Sequence, residues 1–177
     1  EIDTSAVTPV TYINSAPSLK AFVGRHGGMV CTSSNAKAAL DWAFARTSRV
    51  MFFPDQHLGR NTALGMGIPI EQMPVWDPYA DELGGSSEEQ IENSRVILWK
   101  GHCSVHQMFR AEHVAAFRAQ HPGIKILVHP ESPREVFDLA QPLLADAKEV
   151  RPDTEQPDPR ERHGPRPDFV VAANAGG

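Results

Sequence analysis

Polar residues that could do chemistry follow five predicted strands of this sequence. They form five clusters, which are Tyr12, Asn14 and Ser15; Thr32, Ser33 and Ser34; Asp55 and His57; His102 and Cys103; and His129 and Glu131. The carboxyl ends of parallel strands meet at one edge of a sheet, where open α/β proteins bind their ligands. We therefore expect the five clusters to line one shared site.

The hydroxyl and metal-ligating residues each allow two interpretations. Ser33 and its neighbours precede a predicted helix, where they could bind phosphate or carboxylate or could simply cap the helix. Cys103 is followed three residues later by His106, and the pair could ligate a metal or could be structural. Cys31 lies inside a predicted buried strand, so we expect it to be a core residue.

The acid–base candidates also allow a structural interpretation. His129 and Glu131 flank a proline, and they could supply a hydrogen-bond donor and a general acid–base carboxylate, or form an exposed turn. Tyr12 and Asn14 are two residues apart, so on a strand both would point to one side and could bind a ligand. For Asp55 an orienting or capping role is favoured.

The elements that must position these residues alternate between strands and helices over the first 145 positions. Strands are predicted at 7–13, 29–32, 50–53, 73–76, 96–99 and 124–128. Helices are predicted at 16–23, 36–44, 86–94 and 106–120 and from Pro133, with 55–57 as a loop. The 36–44 helix has a single apolar stripe, and Ser86 with Glu89 is a predicted capping box. Apolar, non-alternating strands predict a parallel sheet with helices on both faces, an α/β fold.

Composition and charge argue against several classes of protein. A hydrophobic content of 41% is sufficient for a buried core, and the net charge of −5 argues against nucleic-acid binding. There is no apolar run of the ~18 residues that a membrane span needs, and no signal peptide. Two cysteines without other signs of secretion favour reduced thiols in a cytoplasmic protein. The chain starts at Glu1 rather than Met, which is typical of a cut.

The end of the sequence differs in character from the rest. Five prolines are interleaved with charges between positions 151 and 167, which predicts a linker or a disordered segment. Residues 169–173 could form one strand, but we expect nothing to pair with it.

The five clusters, in this order, resemble the motif series of quinolinate synthases. The matching stretches are 10–15, 30–36, 53–59, 99–106 and 129–131. The resemblance implies a fragment of a three-domain, pseudo-symmetric protein built from three-layer α/β/α domains with parallel sheets. It implies a middle domain at 1–121, the start of a further domain at 122–150 and an atypical, disordered tail at 151–177.

The resemblance also implies an activity. Quinolinate synthases condense iminoaspartate with dihydroxyacetone phosphate to quinolinate in NAD biosynthesis, releasing phosphate and water. Three cysteines, one from each domain, hold a [4Fe-4S] cluster whose open iron is a Lewis acid, and Cys103 matches one of them. The other residues that match are Tyr12, Asn14, Ser33, His129 and Glu131 for substrate binding, of which Tyr12, His129 and Glu131 would be catalytic.

Departures from the family pattern limit what this chain would do. Two of the three cysteine ligands are missing, so we expect the chain to be inactive alone. L-aspartate oxidase or aspartate dehydrogenase would be the upstream enzyme. Ser132 stands where some relatives carry a further cysteine that is not a required ligand. Two alternatives remain open: a non-catalytic anion-binding fragment, and a zinc-dependent hydrolase or lyase that uses Cys103, His106 and His57.

Overall fold

The computed structural model describes residues 6–140 and 169–171. The strands are β1 (Val7–Tyr12), β2 (Met29–Cys31), β3 (Arg49–Phe53), β4 (Val75–Trp76), β5 (Val96–Trp99), β6 (Lys125–Leu127) and β7 (Phe169–Val171). The helices are α1 (Pro17–Arg25), α2 (Ala36–Phe44), α3 (Gln56–Gly65), α4 (Glu88–Glu92), α5 (Ala111–Gln120) and α6 (Arg134–Ala140). The strands and helices alternate as the sequence predicts, except that α3 was not predicted.

The first five strands form one sheet in the order β2-β1-β3-β5-β4, and every neighbouring pair is parallel. One row across the sheet runs through Met29, Val10, Phe52, Leu98 and Val75. Parallel neighbours need crossover connections, which helices usually supply. The predicted α/β fold is therefore confirmed, and the carboxyl ends of these strands share one edge.

The main core lies between the sheet and the helices α2 and α3. Alternate strand residues such as Val10, Phe52 and Leu98 are fully buried on this face. Burial of each large apolar side chain contributes about 1.5–3 kcal/mol. Gly59 lets α3 approach closely, since a Cβ there would lie 2.6 Å from a methyl carbon of Leu98. In α2 the predicted stripe is buried at Ala36, Ala39, Leu40 and Ala43.

The opposite face of the sheet carries the other set of alternate residues. Helix α1 packs on this face, as the prediction of helices on both faces requires. Among the described residues, a groove of about 570 Å³ lies beside α1. It is lined by Val7, Pro9, Phe22, His26, Met51, Phe53, Trp76, Ile97 and Trp99.

Three local predictions are wrong. Residues 55–57 are not a loop, because Asp55 is the N-cap of α3 and Gln56 begins the helix. The capping box is formed by Ser87 and Gln90, one position later than predicted. The helix predicted at 106–120 is interrupted, because the backbone is extended at Arg110 between a short 3-10 helix (His106–Met108) and α5.

A second, two-stranded sheet is formed by β6 and β7, which are parallel. The expectation that nothing pairs with the 169–173 segment is therefore wrong. A separate apolar cluster joins Val114 of α5 to β6 and α6, although Val114 precedes the predicted boundary at 121. The two predicted domain boundaries stay predictions. The rest of the predicted tail, at 151–168 and 172–177, lies outside the described residues.

No helix among the described residues is both long enough and apolar enough to cross a membrane.

Candidate active site

A buried carboxyl group and a buried phenol meet at the carboxyl edge of the sheet. Glu131 is 5% exposed and Tyr12 is 7% exposed. The Tyr12 hydroxyl interacts with the side chains of both Ser33 and Glu131. It also accepts a hydrogen bond of 3.2 Å from Asn14 Nδ2. Side chains at the ends of β1, β2 and β6 thus lie close together. Because β6 belongs to the second sheet, the single shared edge expected from the sequence does not by itself account for this meeting.

Two parallel imidazole rings lie against Glu131. The rings of His106 and His129 stack with centroids 4.6 Å apart and planes 4° apart. His129 Nδ1 is 3.1 Å from Glu131 Oε2, and His106 Nδ1 is 3.5 Å from the same oxygen. The backbone N–H of Glu131 donates to His129 Nδ1 at 3.3 Å, so this nitrogen is an acceptor. A proton between His129 and Glu131 is therefore best carried by the carboxyl group.

The electrostatics of the site bring the titration of Glu131 close to neutral pH. Burial raises the pKa of Glu131 to about 7, the negative charge of Asp55 adds to the effect, and the hydrogen bond from Tyr12 opposes it. Burial lowers the pKa of both His106 and His129, so these rings are mostly neutral. Burial, followed by the charge of Glu131, raises the pKa of Tyr12. The group can therefore exchange a proton at physiological pH.

His106, His129 and Glu131 are also residue types that can ligate a metal ion. Donor atoms of His106, His129 and Glu131 all lie within 4.8 Å of one another. A ligated ion lies in the plane of each imidazole, because the nitrogen lone pair lies in that plane. Two parallel ring planes cannot both contain one ion, so this stacked arrangement suits a shared proton better than a metal.

The zinc site considered from the sequence is not assembled. No group of three metal-ligating side chains in residues 6–140 combines Cys103, His106 and His57. His57 Nε2 lies 2.8 Å from Gln107 Nε2 instead. Burial lowers the pKa of His57, so its ring can accept the amide hydrogen as a neutral imidazole.

The loop formed by residues 32–35, here called the hydroxyl loop, lies on one side of Tyr12. The backbone N–H of Thr32 donates to Asn35 Oδ1 at 2.7 Å, and the hydroxyls of Thr32 and Ser34 are 2.9 Å apart. Asn35 occupies the N-cap position of α2, but its side chain makes no capping hydrogen bond to the helix. The first N–H groups of α2 are therefore not used by the residue that would cap them, which favours the anion interpretation.

Asp55 connects Cys103 to α3. Its Oδ1 accepts hydrogen bonds of 2.8 Å from the N–H groups of His57 and Leu58, and its Oδ2 accepts one of 3.0 Å from the Cys103 N–H. Gly101 allows this contact, since a Cβ there would lie 2.1 Å from the Pro54 carbonyl oxygen. The predicted capping role of Asp55 is confirmed, and the same carboxylate also fixes the backbone of the candidate cluster ligand.

The loop formed by residues 129–132, here called the carboxyl loop, is held by a residue that the sequence analysis missed. Asn61 of α3 donates from Nδ2 to the carbonyl oxygens of Pro130 and Ser132, at 2.8 and 3.0 Å. Asp55, Leu58 and Asn61 recur at every third position and are all buried. That spacing could have indicated that Asn61 faces inward, but it is a weak signal unless α3 is known to be a helix.

The prediction that Cys31 is a core residue is confirmed, and the role of Cys103 stays a prediction. Both are free thiols, and Cys31 is a core residue with 1% exposure. Burial raises the pKa of Cys31 to about 11, so its thiol stays protonated. Cys103 is partly exposed, and its backbone N–H is bonded to Asp55.

Comparison with known proteins gives one consistent family. The family model described as "Quinolinate synthetase A protein" matches residues 2–158. A protein of Rhodopirellula baltica named quinolinate synthase is 78% identical over 139 residues, which are 78% of this chain and 36% of that protein. Proteins of the same name from Corynebacterium glutamicum and Bacillus subtilis are 58% and 53% identical, over 75% and 76% of this chain and 33% and 36% of their own lengths. The chain thus spans about a third of the length of the curated relatives it matches.

Proposed function

The chain belongs to the quinolinate synthase family, and from this premise we propose that its buried site forms part of the active site that makes quinolinate for NAD. The proposed reaction condenses iminoaspartate with dihydroxyacetone phosphate and releases phosphate and water. L-aspartate oxidase or aspartate dehydrogenase would supply the iminoaspartate, in the cytoplasm. The observation that carries the proposal is the buried Glu131 carboxyl, held between the Tyr12 phenol and two neutral imidazoles.

The hydroxyl loop is the proposed binding site for an anionic group of the substrates. Both substrates carry anions, the phosphate of dihydroxyacetone phosphate and the carboxylates of iminoaspartate. Hydroxyl groups at the start of α2, next to N–H groups that Asn35 does not cap, are suitable donors for either anion. Ser33 is near enough to Tyr12 to lower the pKa of its phenol, so an anion bound there would lie close to the acid–base group.

Glu131 is the proposed general acid and base. Formation of the ring requires proton removal next to a carbonyl group and protonation of leaving hydroxyl groups. A carboxyl with a pKa of about 7 can do both, and His129 Nδ1, 3.1 Å away, can share its proton. Tyr12, whose pKa is raised, stays protonated and can donate to a substrate oxygen, while Asn14 holds the phenol in place.

Cys103 is the residue that would hold an iron–sulfur cluster. It is partly exposed and its backbone is fixed by Asp55, whereas Cys31 is a buried core thiol. A bound [4Fe-4S] cluster with one open iron would supply Lewis-acid polarisation of a substrate oxygen. This chain contributes one of the three thiolates. We expect no stable cluster and no quinolinate formation after anaerobic incubation of the chain alone with iron and sulfide. Four irons per chain together with turnover would contradict that expectation.

Substrate binding by the chain itself tests the proposal. Dihydroxyacetone phosphate is titrated into the wild-type chain and into Ser33→Ala, and affinity is measured by calorimetry. A hydrogen bond to a charged group contributes about 1.5–3 kcal/mol, so the variant is expected to bind roughly tenfold more weakly or worse. Ser87→Ala is the matched control, because Ser87 also starts a helix but caps α4, outside the site.

Inorganic phosphate separates this function from simple anion binding. A non-catalytic anion site would bind phosphate and dihydroxyacetone phosphate equally well. The proposed site binds dihydroxyacetone phosphate more tightly, because Tyr12 and Glu131 can contact its carbonyl and hydroxyl groups. Equal affinities, or an unchanged affinity in Ser33→Ala, would contradict the proposal.

A further inference from the structure

Asn61 is hydrogen-bonded to the carboxyl loop on both sides of Glu131. Its Nδ2 donates to the carbonyl oxygen of the residue before Glu131 and to that of the residue after it, at 2.8 and 3.0 Å. Both partners are acceptors only, so the amide nitrogen must face them. Asn61 itself is 3% exposed. The two hydrogen bonds therefore fix the peptide group that precedes Glu131 and the peptide group that follows Ser132.

The fixed loop determines where the Glu131 carboxyl lies. The Glu131 N–H is within 3.3 Å of His129 Nδ1, and the Ser132 N–H donates to the His129 carbonyl oxygen at 2.9 Å. With both of these peptide groups held, the carboxyl is directed at Tyr12 and at the stacked imidazoles. A shift of this loop would expose the carboxyl to water and separate it from these partners.

We infer that Asn61 is a positioning residue for Glu131, acting through the backbone of the carboxyl loop. The inference rests on the proposed function of Glu131 as the acid–base group. It also makes α3 the common support of the site. Asp55 at the start of α3 holds Cys103, His57 contacts Gln107, and Asn61 two turns later holds the carboxyl loop. One rigid helix thus sets the spacing between the candidate cluster ligand and the acid–base residue.

The test measures the titration of Glu131 and the protection of its loop in the 177-residue chain. Asn61→Leu keeps a similar volume and removes the donor. In this variant the pKa of Glu131, followed by carbon NMR of its carboxyl, is expected to fall from about 7 most of the way toward 4.5. Amide exchange at Glu131 and Ser132 is expected to rise at least about tenfold. The groups that face Glu131 (Tyr12, Asp55, His106 and His129) are unchanged in this variant.

Asn61→Ser keeps one donor in a smaller side chain, so the pKa of Glu131 should fall by an intermediate amount. This variant also provides the test if Asn61→Leu does not fold. Ser94→Ala is the control for a buried hydrogen bond outside the site, since Ser94 bonds Ile91 in the turn before β5. It should leave the titration of Glu131 unchanged. If folded Asn61 variants keep the wild-type titration and exchange rates, the inference is overturned. No substrate is needed, so failure of dihydroxyacetone phosphate binding would not affect this result.

Discussion

The hydroxyl loop and the carboxyl loop both follow strands of the molecule, but they are held in place in different ways. Thr32, Ser34 and Asn35 bond one another over at most three positions of sequence. The carboxyl loop is held by Asn61, which is 69 and 71 positions away from its two acceptors. Cys103 is likewise held by Asp55 across 48 positions.

The two sides of the site therefore depend on the tertiary fold to different degrees. Contacts between near neighbours close small loops and cost little chain entropy. Contacts across 48 to 71 positions, as between Asp55, Asn61 and their partners, form only when the sheet and α3 are already packed. The hydroxyl loop is therefore expected to tolerate local changes, whereas the side that carries Cys103 and Glu131 is expected to respond to any loosening of α3.

The largest expected effect comes from Asp55→Ala. This change removes the N-cap of α3, worth about 1–2 kcal/mol, and leaves the Cys103 N–H without its partner, worth about 1–3 kcal/mol. We expect the free energy of unfolding in urea to fall by about 4 kcal/mol. The matched change in the hydroxyl loop is Asn35→Ala, at the N-cap position of α2, where only local bonds to Thr32 are lost. Its expected cost is about 1 kcal/mol.

Equal losses in the two variants would remove the distinction between the two loops. Asp55→Asn is an additional variant, because it keeps one acceptor oxygen for the bonds at the start of α3 but removes the charge and the second acceptor. Since the Asp55 charge raises the pKa of Glu131, this variant should also lower that pKa.

A smaller effect is expected from Glu131→Gln, and it depends on pH. The folded chain holds the Glu131 proton up to a pKa of about 7, against an ordinary value of 4.5. The stability that this proton provides is complete below pH 4.5 and is lost as pH rises through 7. Glutamine has no such proton to lose. Relative to the wild type, the variant should therefore gain about 3 kcal/mol between pH 4.5 and pH 8.

Urea unfolding of both proteins at several pH values measures this difference. Burial lowers the pKa of His106 and His129, which makes stability rise with pH, but this contribution is common to both proteins and largely cancels. If the difference in unfolding free energy between the two proteins stays constant from pH 4.5 to 8, Glu131 titrates near its ordinary pKa. The raised pKa assigned to this carboxyl would then be wrong.

The elements with a clear apolar period were predictable from the sequence. The stripe of α2 and the buried runs of β1, β3 and β5 lie where their patterns indicate. Helix α3 was not predicted because its sequence has no clear apolar stripe. Polar residues such as Gln56, His57 and Arg60 are interleaved with its few buried positions. The favoured capping role of Asp55 was a local signal for this helix, whereas the close packing of Gly59 on Leu98 is a feature of the folded chain.

The residue pattern alone predicted a parallel sheet and the polar residues that follow its strands, because apolar strands connected by helices run parallel and their carboxyl ends share an edge. The pattern did not give the strand order or show that β6 lies in the second sheet. The tertiary structure decided which of these residues meet. It stacked His106 on His129, buried Glu131 against Tyr12, and gave Asn61 and Asp55 their roles. Such pairings depend on the packing of α3 against the sheet, and no local pattern of residues encodes a contact between positions so far apart.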